Sequence, residues 1–106
     1  METIFERVNS GNIARGVRYR FLTKFTVHPI FPLKENEHTY QVYTEIDILD
    51  VVNDGNDKII LIEYKSGTDR GIRKWVNAKD FTEHEIIKDF TDYTCNHIPN
   101  KEFICS

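Results

Sequence analysis

EIDILDVVNDGNDKIILIEYKSG, residues 45–67, sets two apolar stretches on either side of a polar turn. Before the turn, Ile46 and Ile48 alternate with Glu45 and Asp47, the period-two pattern of a strand with unlike faces. NDGND then supplies the reversal, with Asp54-Gly55 suited to positive φ. KIILIEYK follows as a second strand, whose apolar run implies cover on both faces. The stretch predicts an antiparallel hairpin, and its charges raise a second question, whether Asp47, Glu63 and Lys65 do chemistry.

Outward from the hairpin the alternation continues. The first strand of the pair reaches back to Tyr40, with Tyr40 and Val42 on the Ile46 side and Gln41 and Tyr43 on the Asp47 side. VRYRFLTKFTV, residues 17–27, places Val17, Tyr19, Phe21, Phe25 and Val27 on one face and Arg18, Arg20, Lys24 and Thr26 on the other. That is a half-buried strand. Between the two lies HPIFPLKENEH, residues 28–38, a loop by its two prolines and its charges.

Downstream, SGTDRG reads as a second hairpin turn and IRKWVN as its partner strand, with Trp75 expected to be structural and at least partly buried. The period then changes. Thr82 and Glu85 have capping-box spacing, Phe81 can staple onto Ile86, and Ile86, Ile87, Phe90 and Tyr93 form a stripe at helical spacing. A helix is therefore predicted over 82–92, with KEFIC as a last short strand. Thr3 to Val8 predicts one or two helical turns, stopped at Ser10-Gly11.

The 106 residues and their 40% apolar content suit one domain, 1–106, with a modest core. No apolar run approaches a membrane helix, and METIFERVNS lacks the basic and then apolar order of a secretory signal. Cys95 and Cys105 are expected to be reduced thiols of a cytoplasmic protein. The net charge of −3 conceals blocks: +4 over residues 1–34, −7 over 35–57, +3 over 58–78 and −3 thereafter. Blocks of this kind are faces that neutralise one another in the fold, or a basic patch for an anionic partner.

The run IEYKSGTDRGIRKWVNAKDF, residues 62–81, gives a strand, a glycine hairpin, a strand carrying Trp75, then Asp-Phe opening a helical turn. It resembles the SH3-like barrel family, Tudor-type domains included, and the resemblance extends in outline over about residues 17–105. It implies a mainly β (α+β) fold: a small antiparallel SH3-like barrel or curled sheet, with a short N-terminal helical turn and a C-terminal helix. It also implies a module that binds peptides or nucleic acids and catalyses nothing. The short chain, rich in Asn, Ile and Lys, resembles phage and mobile-element accessory proteins as well. That resemblance implies inhibition of a host defence or regulatory protein.

Asp47 with Glu63-Tyr64-Lys65 resembles the D…ExK signature of restriction-endonuclease-like nucleases. There, two carboxylates hold Mg²⁺ and a lysine steers the attacking water. The glycine hairpin directly after Lys65, where that superfamily has a helix, argues for cross-strand pairing instead. Arg18, Arg20, Arg73 and Lys74 form a candidate basic contact, for nucleic acid or for a protein. Ile30, Phe31 and Leu33, stiffened between prolines, form a candidate apolar anchor. Cys95, His97 and Cys105 lack zinc-site spacing and would need His84 or His28 as a fourth ligand. The sequence thus favours a non-enzymatic binder of a protein partner, without cofactor, metal or membrane. Nucleic-acid binding is the alternative and a Mg²⁺ nuclease the weaker one.

Overall fold

Every alternating stretch becomes a strand in the computed structural model, which describes residues 1–28 and 40–90. The strands are β1 (Tyr19–Val27), β2 (Tyr40–Asp54), β3 (Asp57–Tyr64), β4 (Arg73–Asn77) and β5 (Glu85–Asp89). Helix α1 (Ile4–Asn9) precedes them, and a 3-10 turn, Ala78–Phe81, joins β4 to β5. The order in the sheet is β4-β3-β2-β1-β5, with every neighbouring pair antiparallel. The fold is mainly β, and the sheet is open, with β4 and β5 as its edges.

Register follows from the turns. Asp54 pairs with Asp57 around Gly55-Asn56, and Gly55 takes φ +64°, the left-handed region where a Cβ is strained. Across the sheet Phe21 lies opposite Ile46, which lies opposite Tyr64; Tyr19, Ile48 and Ile62 form the next row. Those rows share one face, the inner one. Phe21, Ile46, Ile48, Ile60 and Ile62 are fully buried there with Ile4 and Val8 of α1 and with Ala78 and Phe81 of the 3-10 turn. Burial of each large apolar side chain stabilises by about 1.5–3 kcal/mol, so this layer holds the fold. Among the described residues β3 is covered on that face only: Ile59 and Leu61, on the other, are half-buried.

Helix α1 forms as its sequence predicts. Thr3 Oγ1 accepts from the Glu6 N–H at 3.1 Å while the Glu6 carboxylate accepts from the Thr3 N–H at 2.9 Å. The second capping-box pattern does not make a helix. Residues 82–84 are a turn and Glu85–Asp89 is strand β5, against the helix predicted over 82–92. The segment is clamped on both sides. Ile4 N–H donates to the His84 carbonyl, Ile86 N–H to the Glu2 carbonyl, and Glu85 pairs with Lys24 of β1 at 3.2 Å. A capping box adds about 1 kcal/mol, less than these pairings and the burial beneath them. KEFIC, Tyr93 and the two cysteines lie outside the described residues. No helix among the described residues is long and apolar enough to cross a membrane.

Candidate functional site: the outer face of the sheet

Alternation that sends isoleucines inward sends charges outward. One row crosses the sheet: Arg20 on β1 is opposite Asp47 on β2, Asp47 opposite Glu63 on β3, and Glu63 opposite Arg73 on β4. At the β5 end the Phe90 N–H donates to the Arg20 carbonyl, so Phe90 continues the row.

Asp47 is 0% exposed although no helix of the described residues covers this face. Side chains cover it instead. Oδ1 accepts from Arg20 Nε at 3.0 Å, while Arg18 Nε and Lys65 Nζ approach Oδ2 at 3.5 and 3.8 Å. Oδ2 is buried and ion-paired but has no hydrogen bond. Glu63 accepts from Arg73 Nε at 2.6 Å through Oε1 and from Lys65 Nζ at 3.0 Å through Oε2. Lys65 first, then Arg73, hold the Glu63 carboxyl below its usual range against the cost of burial.

The tertiary structure therefore does bring the nuclease candidates Asp47, Glu63 and Lys65 together. It surrounds the two carboxylates with four cations, which neutralise the charge that would otherwise draw a Mg²⁺. Among the described residues no three His, Cys, Asp or Glu side chains are grouped to hold a metal ion. Cys95, His97 and Cys105 lie outside the described residues, as do Ile30, Phe31 and Leu33 of the expected apolar anchor.

Arg18, Arg20 and Arg73 share the outer face as expected. Lys74 does not: alternation along β4 turns it to the inner side, where Nζ lies 5.3 Å above the Tyr64 ring. Trp75, expected to be structural and at least partly buried, is 51% exposed. It sits opposite Leu61, one alternation from Arg73 and on the same outer face, where a shallow recess is lined by Val52, Ile59 and Trp75. At the far edge Lys88 Nζ lies 5.1 Å above the Phe90 ring. From sequence, Trp75 beside Arg73 and Lys74 already offers a ring for a single strand, but the favoured reading places it as structural, and nothing points to Lys88 and the half-buried Phe90. The Arg73-x-Trp75 spacing on a strand was the available signal for Trp75. The other two were assigned to a helix that does not form.

A second feature lies on the inner side, at the end of the sheet where β1 leaves and β2 enters. A groove of about 440 Å³ is lined by Phe25, Val42, Tyr64, Val76, Phe81 and His84 among others. His84 is stacked between Phe25 and Phe81, each ring centroid 4.3 Å away, with Nδ1 buried and unbonded. Burial pushes its pKa down to about 4, so the ring is neutral at physiological pH. This groove is larger than the recess beside Trp75, yet the Asp47–Glu63 ion-pair cluster is on the opposite face.

No family model, curated protein or solved structure matches the chain.

Proposed function

We propose that the chain is a non-catalytic binding module, of the SH3-like kind its sequence resembles, and that it works through the outer face of its sheet. The observation that carries this reading is Trp75. A large ring left half exposed beside Arg73, on a sheet face with no helix over it among the described residues, is costly in water and useful in an interface. The run of strand, glycine hairpin, strand and 3-10 turn from Ile62 to Phe81 supports the SH3-like assignment. Asp47 and Glu63 then serve to array cations: they hold four flexible basic side chains by ion pairs, lowering the entropy lost when a partner docks.

The competing nuclease reading needs those carboxylates for metal. Incubation of the protein with plasmid and single-stranded DNA in Mg²⁺ or Mn²⁺ separates the two. Intact DNA is the expected result. Cleavage that disappears in Glu63→Ala overturns the binding-module reading.

A further inference from the structure

We infer that the ligand of the outer face is single-stranded nucleic acid, its phosphates held by the cation row and its bases by Trp75 and Phe90. This rests on the proposal that the face is the working surface, and goes beyond it by naming the ligand.

In the central cluster Arg18, Arg20, Lys65 and Arg73 set four positive charges against the carboxylates of Asp47 and Glu63, an excess of two in a chain whose net charge is −3, while further out Lys24 pairs with Glu85 and Arg15 with Asp50. That excess is presented to solvent because the two carboxylates of the cluster lie deepest: Asp47 is wholly buried and Glu63 nearly so, while the Arg73 side chain is 59% exposed. A ligand approaching this face meets guanidinium and ammonium groups first. Polyanions are what such a surface attracts, and salt weakens the attraction.

Next comes the placement of rings. The face has Trp75 at its β4 edge and Phe90 at its β5 edge, with the cations between them. Four strand spacings of about 4.8 Å separate the two edges by about 19 Å. Charge flanked by rings is the arrangement that grips a single strand, because every base has a face to stack while the backbone runs over the cations. A duplex hides its base faces and gains only the charge. An acidic protein surface uses the same cations but has no comparable need of a ring at both edges. Folded strands keep this surface preformed, since Arg18, Arg20, Lys65 and Arg73 are already fixed by a carboxylate and Lys88 lies over the Phe90 ring.

The test uses Trp75, the single tryptophan of the chain, as the reporter. Titration of the full chain with oligothymidine of about ten nucleotides quenches its fluorescence if a base stacks on the indole. Binding of the same oligonucleotide, end-labelled and followed by anisotropy, falls with salt at a slope near −2 for three phosphates at about 0.7 each. Trp75→Ala and the double variant R73Q/K88Q each weaken it at least tenfold. Trp75→Ala keeps the parent's melting temperature, since its side chain is half exposed. R73Q/K88Q, which also removes an ion pair to Glu63, is measured well below its own melting temperature so that the loss reads binding and not unfolding. Three outcomes overturn the inference. Duplex of the same length binding as tightly removes the role of the rings. Polyglutamate binding in place of the oligonucleotide, with the same residues required, assigns the face to an acidic protein and leaves the binding-module proposal standing. Neither ligand binding at low salt sinks both.

Discussion

Asp47 on β2 and Glu63 on β3 are direct cross-strand partners, two carboxylates side by side on a face of the sheet that no helix of the described residues covers. Like charges so placed repel, and the pair persists because Arg18, Arg20, Lys65 and Arg73 enclose it. The cluster is thus both a structural device and the base of the candidate binding surface.

Its structural weight is measurable. Asp47→Asn leaves the Arg18 and Arg20 side chains facing a neutral group inside the cluster and should cost about 3 kcal/mol, the scale for breaking a buried ion pair. Glu63→Gln should cost less, since its partners Lys65 and Arg73 reach water, with side chains 26% and 59% exposed. Urea melts of the two variants give the comparison. An Asp47→Asn protein as stable as the parent would show that the cluster does not hold the sheet together.

Trp75→Ala should change stability by no more than about 0.5 kcal/mol, the range for surface substitutions. Phe21→Ala, which empties a fully buried site, should cost about 3–5 kcal/mol. Thermal denaturation of both proteins places Trp75 outside the core or returns it there.

Acid should loosen the protein in two stages. His84 has a folded pKa of about 4 against an ordinary 6.5, so between those values the unfolded chain binds a proton that the folded chain refuses. Stability from this group is complete above pH 6.5 and is lost as pH falls towards 4. Glu63, held below its ordinary 4.5, adds a loss only below that pH. His84→Phe keeps a ring between Phe25 and Phe81 without the unbonded nitrogen. The melting temperature of this variant should decline less than the parent's between pH 6.5 and 4. Parallel slopes would mean that His84 is already solvated in the folded protein.

The two capping-box patterns predict opposite responses. Thr3→Ala removes a cap that the structure uses and should cost about 1 kcal/mol. Thr82→Ala removes only the residue that closes the 3-10 turn and should fall within about 0.5 kcal/mol. A loss of about 1 kcal/mol at Thr82 as well, in chemical denaturation, would point to a helix there.

Turn geometry supplies a further check. Gly55→Ala forces an alanine Cβ into the left-handed region and should destabilise by about 1 kcal/mol, while Gly55→Asn should cost less. Equal melts for all three would mean that the turn relaxes freely.

The sequence by itself determined four of the strands, the β2–β3 and β3–β4 turns and α1, because period-two alternation, Asp-Gly and a capping box are local signals with local causes. It also determined which residues share a face. From that followed the meeting of Asp47, Glu63 and Lys65, since a tight turn of known length fixes the register across β2 and β3. Alternation does not tell whether the second face of a sheet is covered, and there the tertiary structure decided. Trp75 lies on an edge strand whose outer face has no second layer among the described residues, so an aromatic that reads as core is left half exposed. Asp47 is buried for the opposite reason: Arg20 on β1, Arg18 just before it and Lys65 just after β3 close over it. Residues 85–89 became a strand because β1 and the segment before α1 offered backbone partners and an apolar surface at once. A helical stripe and a cap, worth about a kilocalorie locally, cannot outweigh pairings that exist only after the rest of the sheet has formed.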